Sequence, residues 1–157
     1  FYMDRIEAIR RIVPEAGIST DIITGFCGET DEEFRDTLSV MEAVRYDFSY
    51  MFFYSERPGT YAQKKYTDDI PEELKKSRLA EVIALQQKHS AERVKEGVGK
   101  VHRVLVERVS KRSEEMMAGR NSQNTVVVFP RGELKIGDYV NVLATECTLA
   151  TLIGKVV

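Results

Sequence analysis

The hydrophobic period of this chain changes once, at a pair of glycines, Gly97 and Gly99. Ahead of them, apolar residues recur at three- and four-residue spacing or gather into short β-branched runs. Behind them they alternate every second position. No single element satisfies both periods, so the chain must fold as two differently built parts.

The first part alternates helix and strand. Tyr2, Ile6, Ile9 and Val13 recur at helical spacing, and Pro14 and Gly17 stop that helix. Ile18 to Phe26 is β-branched and mostly apolar, the pattern of a strand buried on both faces. After Gly25 and Gly28, Thr30 to Glu33 has the form of a capping box, and Phe34, Leu38, Met41 and Val44 give the next helix its apolar stripe. Phe48 to Tyr54 reads as a second strand. Short helix–strand connections imply parallel βα units. Two such strands cannot close a barrel, and a start on a helix suggests a piece of a longer protein. From Pro71 to about Glu96 a long helix is expected, with acidic residues at its start, Lys88, Arg93 and Lys95 near its end, and Leu79, Val82 and Ile83 as its stripe. It reads as a semi-rigid connector.

Beyond Gly99, the runs around Val101–Arg108, Thr125–Phe129, Tyr139–Leu143 and Leu149–Val157 are separated by turn chemistry at 121–124, 130–132 and 137–138. Five short strands in this space predict a small closed or nearly closed barrel of the OB type. Charge divides at the same boundary. Residues 1–97 carry 14 Lys and Arg against 19 Asp and Glu, and residues 98–157 carry 9 against 6. A basic segment behind an acidic one points to a polyanion-binding module.

With 43% hydrophobic residues the chain can bury a core. No apolar run approaches the ~20 residues of a membrane span, and no secretory leader opens the sequence, so a cytoplasmic setting is expected. Cys27 and Cys147 lie 120 positions apart without a second thiol at metal-ligand spacing. They read as ordinary small, partly buried side chains. His89 and His102 also lack partners at catalytic spacing and are expected to face solvent.

Several phrases occur in a specific order: Ser19 to Thr30 (STDIITGFCGET), Tyr54 to Thr60 (YSERPGT), Ser110 to Ser113 (SKRS) and Gly119 to Asn124 (GRNSQN). In this order the sequence resembles the radical S-adenosylmethionine methylthiotransferases, most closely those acting on tRNA, over essentially its whole length. The resemblance implies an α/β plus all-β fold. Residues 1–70 would belong to a partial radical SAM barrel, 71–97 to a connecting helix, and 98–157 to a TRAM domain. It further implies S-adenosylmethionine and two [4Fe–4S] clusters as cofactors. The reaction would add a methylthio group to C2 of N6-isopentenyladenosine beside the anticodon, with the tRNA anticodon stem-loop as partner. The family's CxxxCxxC motif and the three cysteines of its N-terminal domain are absent from these 157 residues. Clusters need several thiolates, so this chain alone is expected to be inactive.

Candidate site residues follow from strand ends and loops. Gly25, Phe26, Gly28 and Glu29 either lie beside the cofactor or form a tight βα turn. Ser19 and Asp21 line a pocket or belong to a buried hydrogen-bond network. Met51 and Phe53 flank the cofactor adenine or pack in the core. Arg57 pairs with a cofactor carboxylate or an RNA phosphate, or ties down its own loop through Glu56 or Asp68. In the second part, Lys111, Arg112, Arg120, Asn121 and Asn124 suit phosphate and sugar contacts, or form solvated turns. A ribosomal-protein methylthiotransferase of the same architecture and a non-catalytic RNA-binding module are the rival readings. The parent is expected to be monomeric and not membrane-bound, while exposed strand edges in these residues favour self-association.

Overall fold

The computed structural model describes residues 1–157, which divide into two compact units, 19–89 and 1–18 together with 90–157.

In the first unit, β1 (Ser19–Thr24) and β2 (Phe48–Phe53) pair in parallel, with Ser19 opposite Phe48 and Thr24 opposite Phe53. Between them runs α2 (Asp31–Val44), and its start is the expected capping box. The Thr30 hydroxyl accepts from the Glu33 N–H at 3.2 Å, and the Glu33 carboxylate accepts from the Thr30 N–H at 2.8 Å. That backbone bond, followed by one from the Thr30 hydroxyl, holds the Glu33 carboxyl below the usual carboxylate range. After β2 come a short α3 (Tyr61–Lys65) and α4 (Glu72–Lys95).

The expectation that residues 18–26 are buried on both faces is not met. Ile22 and Thr24 are buried, whereas Ser19, Asp21 and Ile23 are exposed. One sheet face is covered by helix: the Thr24 hydroxyl reaches the Lys75 carbonyl, and the Ser49 hydroxyl donates to Gln86 Oε1 at 3.2 Å. The opposite face is open, leaving Ile23, Tyr50 and Phe52 exposed by 55, 59 and 57%. The chain supplies a helical layer on one side of the sheet only.

The long helix, read as a semi-rigid connector, also buries one face of its own. Lys75, Arg78, Val82, Gln86 and His89 are buried along one face, spaced three and four apart. Leu79 and Ile83, expected in the stripe, are only half-buried. The packing face is largely polar because its partners are polar. Gln86 Nε2, for example, donates to the Tyr46 carbonyl at 2.9 Å. His89 is therefore buried rather than solvent-facing.

The second unit contains α1 (Tyr2–Ile12) and a closed barrel. Gln123 Nε2 donates to the Glu15 carbonyl at 2.8 Å, so the segment after α1 is tied to a barrel turn. The barrel strands are β3 (Val101–Val109), β4 (Met116–Arg120), β5 (Val126–Pro130), β6 (Tyr139–Cys147) and β7 (Thr151–Val156). Their order around the ring is β3-β4-β5-β7-β6, all antiparallel except β5 with β7. This is the small five-stranded OB-like barrel that the spacing predicts. Period-two alternation sends Val104, Val106, Met117, Val127, Phe129, Val142 and Leu152 inward to form its core.

Two glycines let the strands approach. A Cβ on Gly119 would overlap the Leu105 carbonyl oxygen, and one on Gly154 the Leu143 carbonyl oxygen. His102 is half-buried: one ring nitrogen contacts the Gly97 carbonyl at 2.8 Å and the other the Asn121 amide at 3.1 Å. Those partners require Nε2–H to donate and Nδ1 to accept. The ring thus joins β3 to the β4–β5 turn instead of facing solvent.

Candidate nucleic-acid interface

The barrel register builds a surface row across four strands. Arg108 stands opposite Ala118, Ala118 opposite Val128, and Val128 opposite Ile153. Because Val127 and Leu152 point inward, their neighbours in sequence point outward. With Met116, Val126 and Thr151, this row floors a groove of about 280 Å³. Ser110, Lys111, Arg112 and Ser113 of the β3–β4 loop wall one side, and Thr148 of the β6–β7 loop contributes on the other. Lys111 and Arg112 are exposed. Two serines shape their loop: Ser110 Oγ accepts from the Arg112 N–H at 3.4 Å and Ser113 Oγ from the Glu115 N–H at 3.2 Å.

Arg120, Asn121 and Asn124 lie at the other end of β4, a five-residue strand spanning roughly 14 Å. Their local roles are largely explained. Arg120 donates to Glu107 at 3.0 Å. The Asn121 side chain is buried, accepting from the Gln123 and Thr125 N–H groups at 3.1 and 2.9 Å while contacting His102. Asn124 takes the left-handed conformation at φ 64°, which asparagine tolerates. The five predicted RNA contacts therefore fall into two separate groups.

In the parallel-strand unit, the predicted cofactor residues are also distributed. Ser19 and Asp21 are on the open sheet face. Met51, paired with Ile22 in the register, lies on the opposite, helix-covered face. Arg57 is exposed in the β2–α3 loop, where its carbonyl accepts from the Thr60 hydroxyl at 2.8 Å. Gly25, Phe26, Gly28 and Glu29 come together in the β1–α2 turn, held by α4 and the loop before it. The Glu29 carboxylate accepts from the Gly25 N–H and from Arg78, both at 2.7 Å, and Gly28 N–H donates to Asp69 at 2.7 Å. Arg78 also reaches Asp31 at 2.6 Å. Burial opposes its charge, but the bonds from Asp31 and Glu29 outweigh that and raise its pKa. Gly25 is required by Lys75, whose side chain occupies the place of a Cβ. Lys75 in turn pairs with Asp68 at 2.6 Å. The Phe26 ring packs edge-on against Tyr54 at 4.9 Å. Burial first, and then Cys27, push the Tyr54 phenol above its usual range.

No group of three His, Cys, Asp or Glu side chains is placed to hold a metal ion. Cys27 and Cys147 belong to different units, and neither is in a disulfide. An iron–sulfur cluster needs several thiolates, so these residues do not fit as its ligand set.

A model of the TRAM domain matches residues 95–157. Residues 95–157 are a TRAM domain. Over nearly its full length the chain is similar to tRNA-2-methylthio-N(6)-dimethylallyladenosine synthases. It is 55% identical to that of Amoebophilus asiaticus over 157 residues, covering 99% of this chain and 32% of the relative. The identity to the Bacteroides fragilis protein is 56% over 155 residues, covering 99% and 34%. For Flavobacterium johnsoniae it is 54% over 156 residues, covering 99% and 32%. The chain thus spans about a third of the length of the curated relatives it matches. These proteins carry the name toward which the sequence phrases pointed.

Within the TRAM barrel, the sequence reading singled out Lys111 and Arg112 but missed Arg108, Ser110, Ser113, Thr148 and Thr151 around the same groove. A legible signal existed for the serines, which flank the two cations in the SKRS run. Thr148 and Thr151 join them only through the pairing of β5 with β7, a contact no local pattern announces. No helix of the chain is long and apolar enough to cross a membrane.

Proposed function

We propose that this chain is part of a tRNA methylthiotransferase and that its TRAM barrel docks the anticodon stem-loop. The observation that carries the reading is the groove beside Arg108, Lys111 and Arg112, which lies on the barrel face between two loops. In OB-type barrels, the corresponding strands and the first and last of these loops bind oligonucleotides. The names of the relatives supply the nucleic acid, tRNA, and a 2-methylthio-N(6)-dimethylallyladenosine product. The reaction would be transfer of a methylthio group to C2 of an N6-isopentenylated adenosine next to the anticodon. Residues 1–70 would complete part of a radical SAM barrel, 71–97 would connect, and 98–157 would hold the RNA.

S-adenosylmethionine and two [4Fe–4S] clusters would supply the radical and sulfur chemistry. Their thiolate ligands would come from the parent protein outside these residues, and this chain alone would be inactive. Ser19 and Asp21 on the open sheet face, with Gly28 and Arg57 near the strand ends, would form part of the cofactor wall. Glu29 and Gly25 would shape that wall rather than touch the ligand, because the Glu29 carboxylate is engaged with the Gly25 N–H and Arg78, and the Lys75 stem packs against Gly25. The setting would be cytoplasmic and the parent monomeric.

The test is binding of this chain to a prenylated anticodon stem-loop across a salt series, with an R108A/K111A/R112A variant in parallel. Micromolar affinity that falls steeply with salt is expected, and each lost phosphate contact should flatten the log–log slope by about 1. Absent or charge-independent binding would instead favour the protein substrate of a ribosomal-protein methylthiotransferase.

A further inference from the structure

The surface chemistry of the groove is one-sided. Its charged lining residues are the cations Arg108, Lys111 and Arg112, with no carboxylate among them. Its hydroxyls are Ser110, Ser113, Thr148 and Thr151. Three of these oxygens already accept a backbone N–H: Ser110 from Arg112, Ser113 from Glu115 and Thr148 from Ala150. Each keeps its O–H as a donor, beside one remaining lone pair. Such a surface of cations and unspent donors demands a partner rich in acceptors, as a ribose–phosphate backbone is. Glu114 and Glu115, which follow in the loop, are exposed and limit the cationic strip on that side.

The floor is equally informative. It is aliphatic, made by Met116, Ala118, Val126, Val128 and Ile153. From residue 98 onward the chain has two six-membered aromatic rings, Phe129 and Tyr139, and one imidazole, His102, which is held between Gly97 and Asn121 outside the groove lining. Phe129 is sealed in the core, and Tyr139, on β6, lies beneath the Arg103 guanidinium at 4.4 Å. Neither lines the groove. Proteins that hold unpaired strands gain about 1–3 kcal/mol per base by stacking on aromatic side chains. This floor offers no such platform. A paired stem keeps its bases stacked internally and presents phosphates and 2′-hydroxyls outward across a wide, shallow minor groove.

We propose that the groove formed by Arg108, Ser110–Ser113, Thr148 and Thr151 grips the ribose–phosphate backbone of paired, A-form RNA and reads neither unpaired bases nor sequence. The proposal rests on the assignment of this barrel to RNA and specifies which part of the RNA it holds. The barrel would then measure the shape of a stem, leaving recognition of the modified base to other residues of the parent.

The experiment is fluorescence anisotropy of the whole chain with four probes at fixed salt. They are RNA duplexes of about 16 base pairs in two unrelated sequences, one isolated strand, and the matching DNA duplex. Expected are equal affinities for the two RNA duplexes within about threefold, with weaker binding of the single strand and the DNA duplex. K111A/R112A should weaken duplex binding about tenfold at physiological salt. Ser113→Ala/Thr148→Val should narrow the preference for RNA over DNA, because the 2′-hydroxyl is what distinguishes the two. Circular dichroism checks that each variant keeps the barrel. Tighter binding of the single strand, or a strong difference between the two duplex sequences, overturns the proposal while leaving RNA docking intact. Binding of none of the four probes overturns both.

Discussion

Arg78 illustrates how much of the parallel-strand unit depends on single polar contacts. It is 3% exposed, bonds Glu29 and Asp31, and lies with its guanidinium 5.3 Å from the centre of the Phe34 ring. Replacing it by alanine would leave the mostly buried Glu29 carboxylate without its cation, a change that costs about 3 kcal/mol. We expect Arg78→Ala to lower the urea midpoint of residues 19–89 accordingly, with Arg78→Lys falling between the two. An unchanged midpoint would show that water can replace the pair. Sequence reading could not foresee this role, since Arg78 stands 49 positions from Glu29 and the helical pattern around it suggested an apolar stripe. Glu29 and Gly25 were legible as important, but for a ligand. The structure shows the Glu29 carboxylate bonded to the Gly25 N–H and to Arg78, with the Lys75 stem against Gly25.

Helix and strand ends were more legible because their determinants are local. The capping box of α2 follows from four adjacent residues, and the structure forms both of its reciprocal bonds. Its pH dependence can be signed. The folded-state pKa of Glu33 is depressed, so its contribution is present above the unfolded value and is lost as pH falls through the folded one. The start of α2 should therefore loosen below about pH 4, visible as faster amide exchange at residues 31–34, and Glu33→Gln should remove that dependence. The strand β4 was harder to see. Its sequence, MMAGR, contains no β-branched residue, and Gly119 reads as a turn. The glycine is needed instead for close passage past the Leu105 carbonyl. Gly119→Ala should destabilise the barrel by more than about 3 kcal/mol, measured by thermal unfolding, because the obstruction is backbone and cannot rotate away.

At the scale of the whole molecule, the period change at Gly97 and Gly99 correctly marked a change of architecture, and the OB-like ring followed from strand spacing. What it could not show was that the parallel sheet has one covered and one open face. Ile23, Tyr50 and Phe52 form an exposed apolar face on two strands with free edges. Such a surface favours self-association. Sedimentation should show concentration-dependent oligomers that diminish in Tyr50→Lys/Phe52→Lys, and a monomer at all concentrations would contradict this.

The strand order of the barrel carries one more implication, for time. β3, β4 and β5 are consecutive neighbours, but β7 must enter between β5 and β6 before the ring is complete. Contacts between distant segments form late when chain closure must precede them. The three-stranded meander is thus suited to nucleate folding, with insertion of β7 as the step that locks the product. Removing the buried side chain of Leu152 from β7 should chiefly accelerate unfolding and barely slow refolding. The final strand would govern how long the barrel lasts, and the first three how quickly it appears.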